Sequence, residues 1–267
     1  MTKTIFITGA SAGIGKATAK LFASRGWKVI ATMRKPENET ELNMLDNITL
    51  MPLDVTNVEQ IKDTVQKALA LDDVDVVFNN AGYGLLGALE GTTDDQLVLQ
   101  METNFLGTVR VTKEFIPYFR AKRSGLFINT TSSAGLMAFP VSSMYDASKW
   151  ALEGWAESLS FELEQFGIGI KNIEPGMVST EMADRAVFPS HPAYEALAQK
   201  FFAAITSPEI KSSTSEQIAE VVFEAATDGK DILRYVCGED AKAMYAQRLQ
   251  AGDEAFRKGL KQMILGE

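Results

Sequence analysis

The sequence predicts an α/β fold, a doubly wound parallel sheet of about seven strands with helices on both faces. Three observations predict it. Short β-branched, apolar runs alternate with longer segments of helical period as far as Val236. That order builds βα units, hence a parallel sheet covered on both sides. A glycine-rich turn joins the first run to the first helix, and the residues suited to chemistry all follow strand ends, where open α/β sheets bind ligands.

The strands in order are 4–8, 28–32, 48–52, 74–79, 125–130, 168–174 and 232–236. The first carries the alternation Ile5-Phe6-Ile7; the others are likewise short β-branched, apolar runs. Helical period marks 14–24, 58–70, 94–101, 105–120, 143–166 and 215–227. Two segments break the alternation. Residues 180–210 set Pro189, Pro192 and Pro208 among Phe188, Tyr194, Phe201, Phe202 and Ile205, which reads as short helices and loops forming a lid. Residues 239–267 place Ala241, Met244, Tyr245, Leu249, Phe256, Leu260 and Met263 near helical spacing, interrupted at Gly252, and read as a helical extension packed on its own domain.

The 267 residues suit one domain, and no repeat, low-complexity tract or Pro/Gly/Ser-rich linker marks a boundary within 1–267. With 46% hydrophobic and 23% charged residues, disordered and fibrous classes are excluded. The formal charge of -9 argues against a nucleic-acid partner. A single cysteine, Cys237, excludes a disulfide framework or cysteine zinc site and suits a reducing, cytoplasmic setting. No apolar run approaches the roughly 18 residues of a membrane span, no secretory leader opens the chain, and no metal site is expected.

Thr8-Gly9-Ala10-Ser11-Ala12-Gly13-Ile14-Gly15 lies at the first strand-helix junction. Its three glycines allow a tight turn, close approach to a pyrophosphate and close helix packing, while the helix N-terminus offers N–H donors. An ordinary βα turn would look similar, but the position favours a nucleotide. No Gly-Lys-Ser/Thr follows, which excludes a Walker loop. The second strand ends Thr32-Met33-Arg34-Lys35, without the acid that would bond the adenosine ribose and repel a 2'-phosphate. Arg34 can instead grip that phosphate with a permanently charged fork, so NADP(H) is preferred and NAD(H) remains possible. Asp54-Val55 is placed at the adenine, Asp54 either accepting from its amino group or serving as a turn residue.

Tyr145 and Lys149, at i and i+4, share one face of the long helix 143–166. With the glycine-rich loop, Asn79-Asn80-Ala81-Gly82 after the fourth strand, Ser132 after the fifth and Pro175-Gly176 after the sixth, chance is a poor explanation. The sequence resembles the short-chain dehydrogenase/reductase family, in its compact, single-domain Rossmann-type branch, over residues 3–236. The resemblance implies that Gly9, Ser11, Gly13, Ile14 and Gly15 bind the pyrophosphate, with Asn80, Ala81 and Gly82 beside the cofactor. It places the catalytic tetrad on Asn104, Ser132, Tyr145 and Lys149, Ser132 being chosen because the family serine lies thirteen positions before the tyrosine. By the same likeness Pro175, Gly176, Val178 and Thr180 flank the nicotinamide, and the protein forms a homodimer or homotetramer.

The chemistry can be built from the residues. Hydride addition to a ketone creates an alkoxide, which Tyr145 protonates if Lys149 draws its pKa down from about 10. Lys149 also grips the nicotinamide ribose, and Ser132 holds the substrate oxygen. Asn104 either serves a proton path beside Lys149, as the resemblance implies, or satisfies a helix irregularity. Met137, Phe139, Val141, Met144, Met177, Met182 and Phe188 form an apolar substrate pocket, with Arg185 and Lys200 as the charges that would favour an acid or phosphate if turned inward. The expected function is an NADPH-preferring carbonyl reductase, reversible as an alcohol dehydrogenase, on apolar or aromatic ketones. The alternatives are an NAD-dependent hydroxysteroid-like or sugar alcohol dehydrogenase, a 3-oxoacyl carrier reductase, or a redox sensor that binds dinucleotide without turnover.

Overall fold

A computed structural model of the chain describes residues 2–179, 186–207 and 210–266. Its strands are β1 Thr4–Ile7, β2 Lys28–Met33, β3 Ile48–Pro52, β4 Val76–Asn79, β5 Gly125–Thr130, β6 Ile168–Pro175, β7 Val178–Ser179, β8 Ser213–Thr214 and β9 Arg234–Cys237. Seven of them form one parallel sheet in the order β3-β2-β1-β4-β5-β6-β9, and β7 pairs with β8 beside it. The order reverses between β1 and β4, so the loops leaving these two strands diverge and open a crevice at their carboxyl ends.

Period-two alternation sends the two faces of the sheet into two cores. Ile5, Ile7, Val29, Ala31, Phe78, Ile128 and Ile173 pack with Phe22 of α1 (Gly13–Ser24) and with Ile218 and Val222 of α7 (Ser215–Thr227). Phe6, Ile30, Val77, Phe127 and Ile170 face α2 (Val58–Leu71), α4 (Gly107–Lys122) and α5 (Ser143–Glu164), meeting Ile61, Val65, Val111, Phe115, Ala156 and Leu159. On that second face the core turns polar toward the strand ends. Asn79 Nδ2 donates to Thr112 Oγ1 and to Asn129 Oδ1, each at 3.0 Å, and Asn129 Nδ2 donates to Asn172 Oδ1 at 3.0 Å, tying β4, β5 and β6 together below the catalytic residues.

Several expectations shift. The helices read at 94–101 and 105–120 are joined: α3 (Asp94–Met101) runs through a π-helical turn, Glu102–Leu106, into α4. Gly107 lies against Val55, where a Cβ would approach the valine to 2.9 Å. The long catalytic helix ends at Glu164 instead of 166, because Gly167 takes a left-handed φ of 69°. The strand read at 74–79 begins at Val76, and the last strand runs Arg234–Cys237 instead of 232–236.

In the segment read as a lid, residues 180–185, 208 and 209 lie outside the described residues. Its described part holds a 3-10 turn, Pro192–Tyr194, and α6, Glu195–Ile205. It is pinned to the loop after β4: Leu86 N donates to Val187 O at 2.9 Å and Val187 N to Gly84 O at 2.8 Å. The C-terminal extension forms two helices, α8 (Glu239–Ala251) and α9 (Asp253–Leu265), broken where Gly252 adopts a φ of 81°. Among the described residues, no helix is long and apolar enough to cross a membrane, and no cluster of three or more His, Cys, Asp or Glu could hold a metal.

Candidate active site

The crevice is lined first by the β1–α1 turn. Gly9 takes a φ of 68°, and a Cβ there would come within 2.8 Å of the Ala81 backbone. Gly15 is closed in by Gly9 O and Asn80 Nδ2, leaving no room for any side chain. Asn80 fixes this contact by donating to Thr8 O at 3.2 Å and Gly9 O at 3.1 Å, while Thr8 Oγ1 accepts from Asn80 N and Ala81 N. The Asn80-Ala81-Gly82 segment is therefore a buttress of the glycine loop. Ala12, at the N-cap of α1, offers no side-chain cap, and the first turn carries no acid. Those open N–H groups and the glycine cradle fit a pyrophosphate. The side chain of Ile14 is buried in the core, so its offering to the crevice is the backbone, and Ser11 and Gly13 sit on the same turn.

At the end of β2, Arg34 is exposed and makes no hydrogen bond or ion pair with the described residues. Of the acids that follow, Glu37 is exposed in a 3-10 turn, Pro36–Asn38, and Glu39 is buried and turned to structural work: its Oε1 accepts from Glu41 N at 2.8 Å and Leu42 N at 3.1 Å and pairs with Lys16 at 3.2 Å. Asp54 Oδ1 accepts from Thr56 N at 2.9 Å and Thr56 Oγ1 at 2.7 Å, and Val55 is buried beside Gly107.

Ser132, 9% exposed, stands at the end of β5 as N-cap of a 3-10 turn, with Oγ accepting from Ala134 N at 3.1 Å. The Tyr145 phenol stands near it, and the Ser132 side chain favours the ionised form of that phenol. Lys149 lies one turn along α5, 5% exposed, with Nζ at 5.7 Å from the Tyr145 ring centroid and donating to Thr130 O at 2.8 Å. The structure thus brings Ser132, Tyr145 and Lys149 together. Asn104 joins them from the π-helical turn: its Nδ2 donates to Tyr83 O at 2.9 Å and Ser148 Oγ at 3.2 Å, and its Oδ1 accepts from Tyr83 N at 3.0 Å. Its side chain is wholly engaged in holding Gly82-Tyr83 against the catalytic helix.

One expectation is corrected. Burial raises the Tyr145 phenol to about 12, outweighing the lowering by Ser132, and the charge of Asp146 adds to the rise. Lys149 does not pull it down, because burial brings the lysine itself to about 8, only partly opposed by Glu153, and its ammonium is directed at the Thr130 carbonyl. The phenol of the free protein is held protonated.

Sequence reasoning missed Asp146, although it stands between Tyr145 and Lys149 on the first turn of α5. It is buried, and its Oδ2 accepts from Phe139 N at 2.7 Å, anchoring the apolar loop to the catalytic helix. Burial raises its carboxyl to about 7, against the lowering by that N–H. The anchored loop contains Val141 at a φ of 48°, a left-handed conformation costing a β-branched residue about 1–2 kcal/mol. Phe139, Val141 and Met144 are half-buried around it, Met177 and Phe188 are exposed, and Met137 is fully buried, placing it beneath the surface. Thr180, Met182 and Arg185 lie outside the described residues. Pro175 closes β6, Gly176 follows it, and Val178 opens β7. The lone histidine, His191, caps the turn before α6 on the surface, and Cys237 is a core residue.

Behind Lys149, Glu153 pairs with Arg234 at 2.9 Å, and Glu174 of β6 is wholly buried with neither carboxyl oxygen hydrogen-bonded. Burial first, then the charge of Glu153, raise Glu174 to about 9, with Arg234 opposing. The folded state therefore binds this proton more tightly than the unfolded chain, so stability falls as pH rises from about 4.5 toward 9, by up to roughly tenfold in the folding constant per pH unit. Glu174→Met removes the ionisable group. Thermal melts should show the mutant flatter with pH than the wild type and more stable above neutrality; parallel profiles would contradict this.

With this geometry in place, comparison gives the class. The short chain dehydrogenase family model matches residues 3–188. An uncharacterized oxidoreductase of Schizosaccharomyces pombe is 38% identical over 227 residues, covering 84% of this chain and 96% of that one. A 3-ketodihydrosphingosine reductase of Bacteroides thetaiotaomicron is 38% identical over 181 residues, 67% of this chain and 65% of that one. The crystal structure of a short-chain dehydrogenase from Streptomyces avermitilis superposes with a TM-score of 0.85 at 31% identity, covering 98% of this chain and 96% of that one. ElxO with NADP bound gives 0.76 at 29% identity, covering 88% and 98%. A Burkholderia phymatum short chain dehydrogenase/reductase in complex with NAD gives 0.79 at 25% identity, covering 93% of each. The chain belongs to the short-chain dehydrogenase family and is an NAD(P)-dependent oxidoreductase.

Proposed function

We propose that the protein is an NADPH-preferring carbonyl reductase, reversible as an alcohol dehydrogenase, acting on apolar or aromatic ketones and secondary alcohols. The observation that carries this reading is the grouping of Tyr145 with Ser132 and Lys149, in which burial keeps the phenol protonated. At neutral pH such a group gives a proton to a nascent alkoxide, which is the reductive direction. A bound nicotinamide supplies the hydride. Ser132 orients the substrate oxygen toward Tyr145. Lys149 has donors left over after its bond to Thr130 O, and these grip the ribose hydroxyls. Gly9, Ser11, Gly13, Ile14 and Gly15 take the pyrophosphate through backbone N–H groups, with Asp54 and Val55 at the adenine, and Pro175, Gly176, Val178 and Thr180 at the nicotinamide.

The NADPH preference rests on Arg34, a guanidinium unpaired among the described residues at the strand end where a ribose-binding acid would otherwise stand. The apolar substrate class rests on Phe139, Val141, Met144, Met177 and Phe188, with Met137 beneath them and Met182 in the same segment of chain. A sugar would leave hydroxyls unpaired against such walls, at about 1–3 kcal/mol for each buried group. The relative named as a 3-ketodihydrosphingosine reductase is by name a ketone reductase, which supports the same direction. A homodimer or homotetramer is supported by the outer face of α5, where Phe161 is 70% exposed, and a cytoplasmic location by the single, buried Cys237. Steady-state kinetics on matched substrates tests the reading: an aryl ketone and a steroid ketone should exceed a keto sugar and a keto acid in kcat/KM. Higher efficiency on the sugar or the acid would reject the apolar pocket.

A further inference from the structure

The C-terminal helix pair touches both halves of the catalytic machinery. Asp240, in the first turn of α8, accepts from Met177 N through Oδ2 at 2.7 Å. Met177 O in turn accepts from Ser213 N at 2.8 Å, and Gly176 N donates to Cys237 O at 3.0 Å, so the segment following β6 is held from both sides. Gly176 and Gly238 are the residues that admit this carboxylate, since a Cβ on either would collide with it. Two turns further along α8, Arg248 Nη1 donates to Leu136 O at 2.6 Å, on the turn that follows Ser132. The same guanidinium lies 5.2 Å from the centroid of the Trp150 ring, next to Lys149 on α5, and pairs with Asp253 at 2.9 Å where α9 begins.

We propose that α8 is a brace for the reaction, in which Asp240 and Arg248 are positioning residues that hold the 175–178 segment and the Ser132 turn at a fixed separation. The inference rests on the reductase reading above, in which the first segment flanks the nicotinamide and the second holds the substrate oxygen. Hydride transfer is steep in donor-acceptor placement, and a shift of about 1 Å can cost on the order of a hundredfold. The brace also explains why the extension follows the last sheet strand without a linker: Gly238 is the sole residue between β9 and α8.

The test compares Asp240→Ala with Asp240→Asn, which keeps an oxygen acceptor for Met177 N–H, and Arg248→Ala with Arg248→Lys. Wild type and variants are assayed for ketone reduction at saturating NADPH, with the primary deuterium isotope effect on kcat and the melting temperature. The alanine variants should lose kcat by roughly tenfold or more, with KM changed little and the isotope effect increased. The Asn and Lys variants should recover most of kcat. Variants that melt earlier while keeping kcat and the isotope effect would overturn the brace, as would an Asn variant no better than Ala. If Asp240→Ala does not fold, the Arg248 pair decides by the same criteria. A wild type without turnover would defeat the reductase reading itself, a result distinct from unaffected variants of an active enzyme.

Discussion

Tyr145→Phe is expected to lower ketone reduction by roughly a hundredfold to ten-thousandfold, the usual contribution of a positioned acid, while leaving NADPH affinity within a few-fold of wild type. The substitution removes one oxygen from a ring whose environment is otherwise unchanged, and it touches neither the glycine loop nor Lys149. Loss should fall on kcat at saturating substrate, because the missing proton donor acts on the chemical step. Lys149→Ala should behave differently, weakening turnover and cofactor binding together, since that side chain stands between Tyr145, Thr130 and the expected ribose site. Near-normal reduction by the phenylalanine variant, measured by NADPH oxidation, would remove Tyr145 from the mechanism.

Arg34→Glu is expected to erase or invert the cofactor preference. A charged hydrogen bond contributes about 1.5–3 kcal/mol, or roughly tenfold to a hundredfold in relative affinity, and the glutamate adds repulsion toward a 2'-phosphate. Because Arg34 is exposed and unpaired among the described residues, its replacement breaks no contact in the fold, so stability should be unchanged. Ratios of kcat/KM for NADPH and NADH on one ketone give the answer. A wild type that uses NADH equally well would refute the argument from the acid-free end of β2.

What the sequence made legible was local. The period-two and helical runs place the sheet strands, and the glycine spacing and the i,i+4 pair of Tyr145 and Lys149 each depend on residues within one turn. Gly252 was readable as a break for the same reason. Distant pairings were not legible. Asp146 was hidden because its partner, the Phe139 N–H, is defined by how the loop folds back on α5, and Asp240 and Arg248 because Met177 and Leu136 lie 63 and 112 residues away. Nor was the close packing of Gly107 on Val55, just after the π-helical turn, legible, being a contact between separate elements. The direction of the Tyr145 shift depends on burial, which spacing does not report, and proximity to Lys149 alone pointed the wrong way.

The most direct test of the central claim is transfer of deuterium from NADPH, labelled at the transferable position of its nicotinamide, to an aryl ketone. The wild type should yield a secondary alcohol carrying deuterium on its carbinol carbon, one label per cofactor oxidised, and Tyr145→Phe should yield almost none while still binding NADPH. Stoichiometric NADPH binding by the wild type with no deuterium transferred to this ketone, nor to any member of a broad carbonyl panel, would contradict the account and leave a dinucleotide-binding sensor in its place.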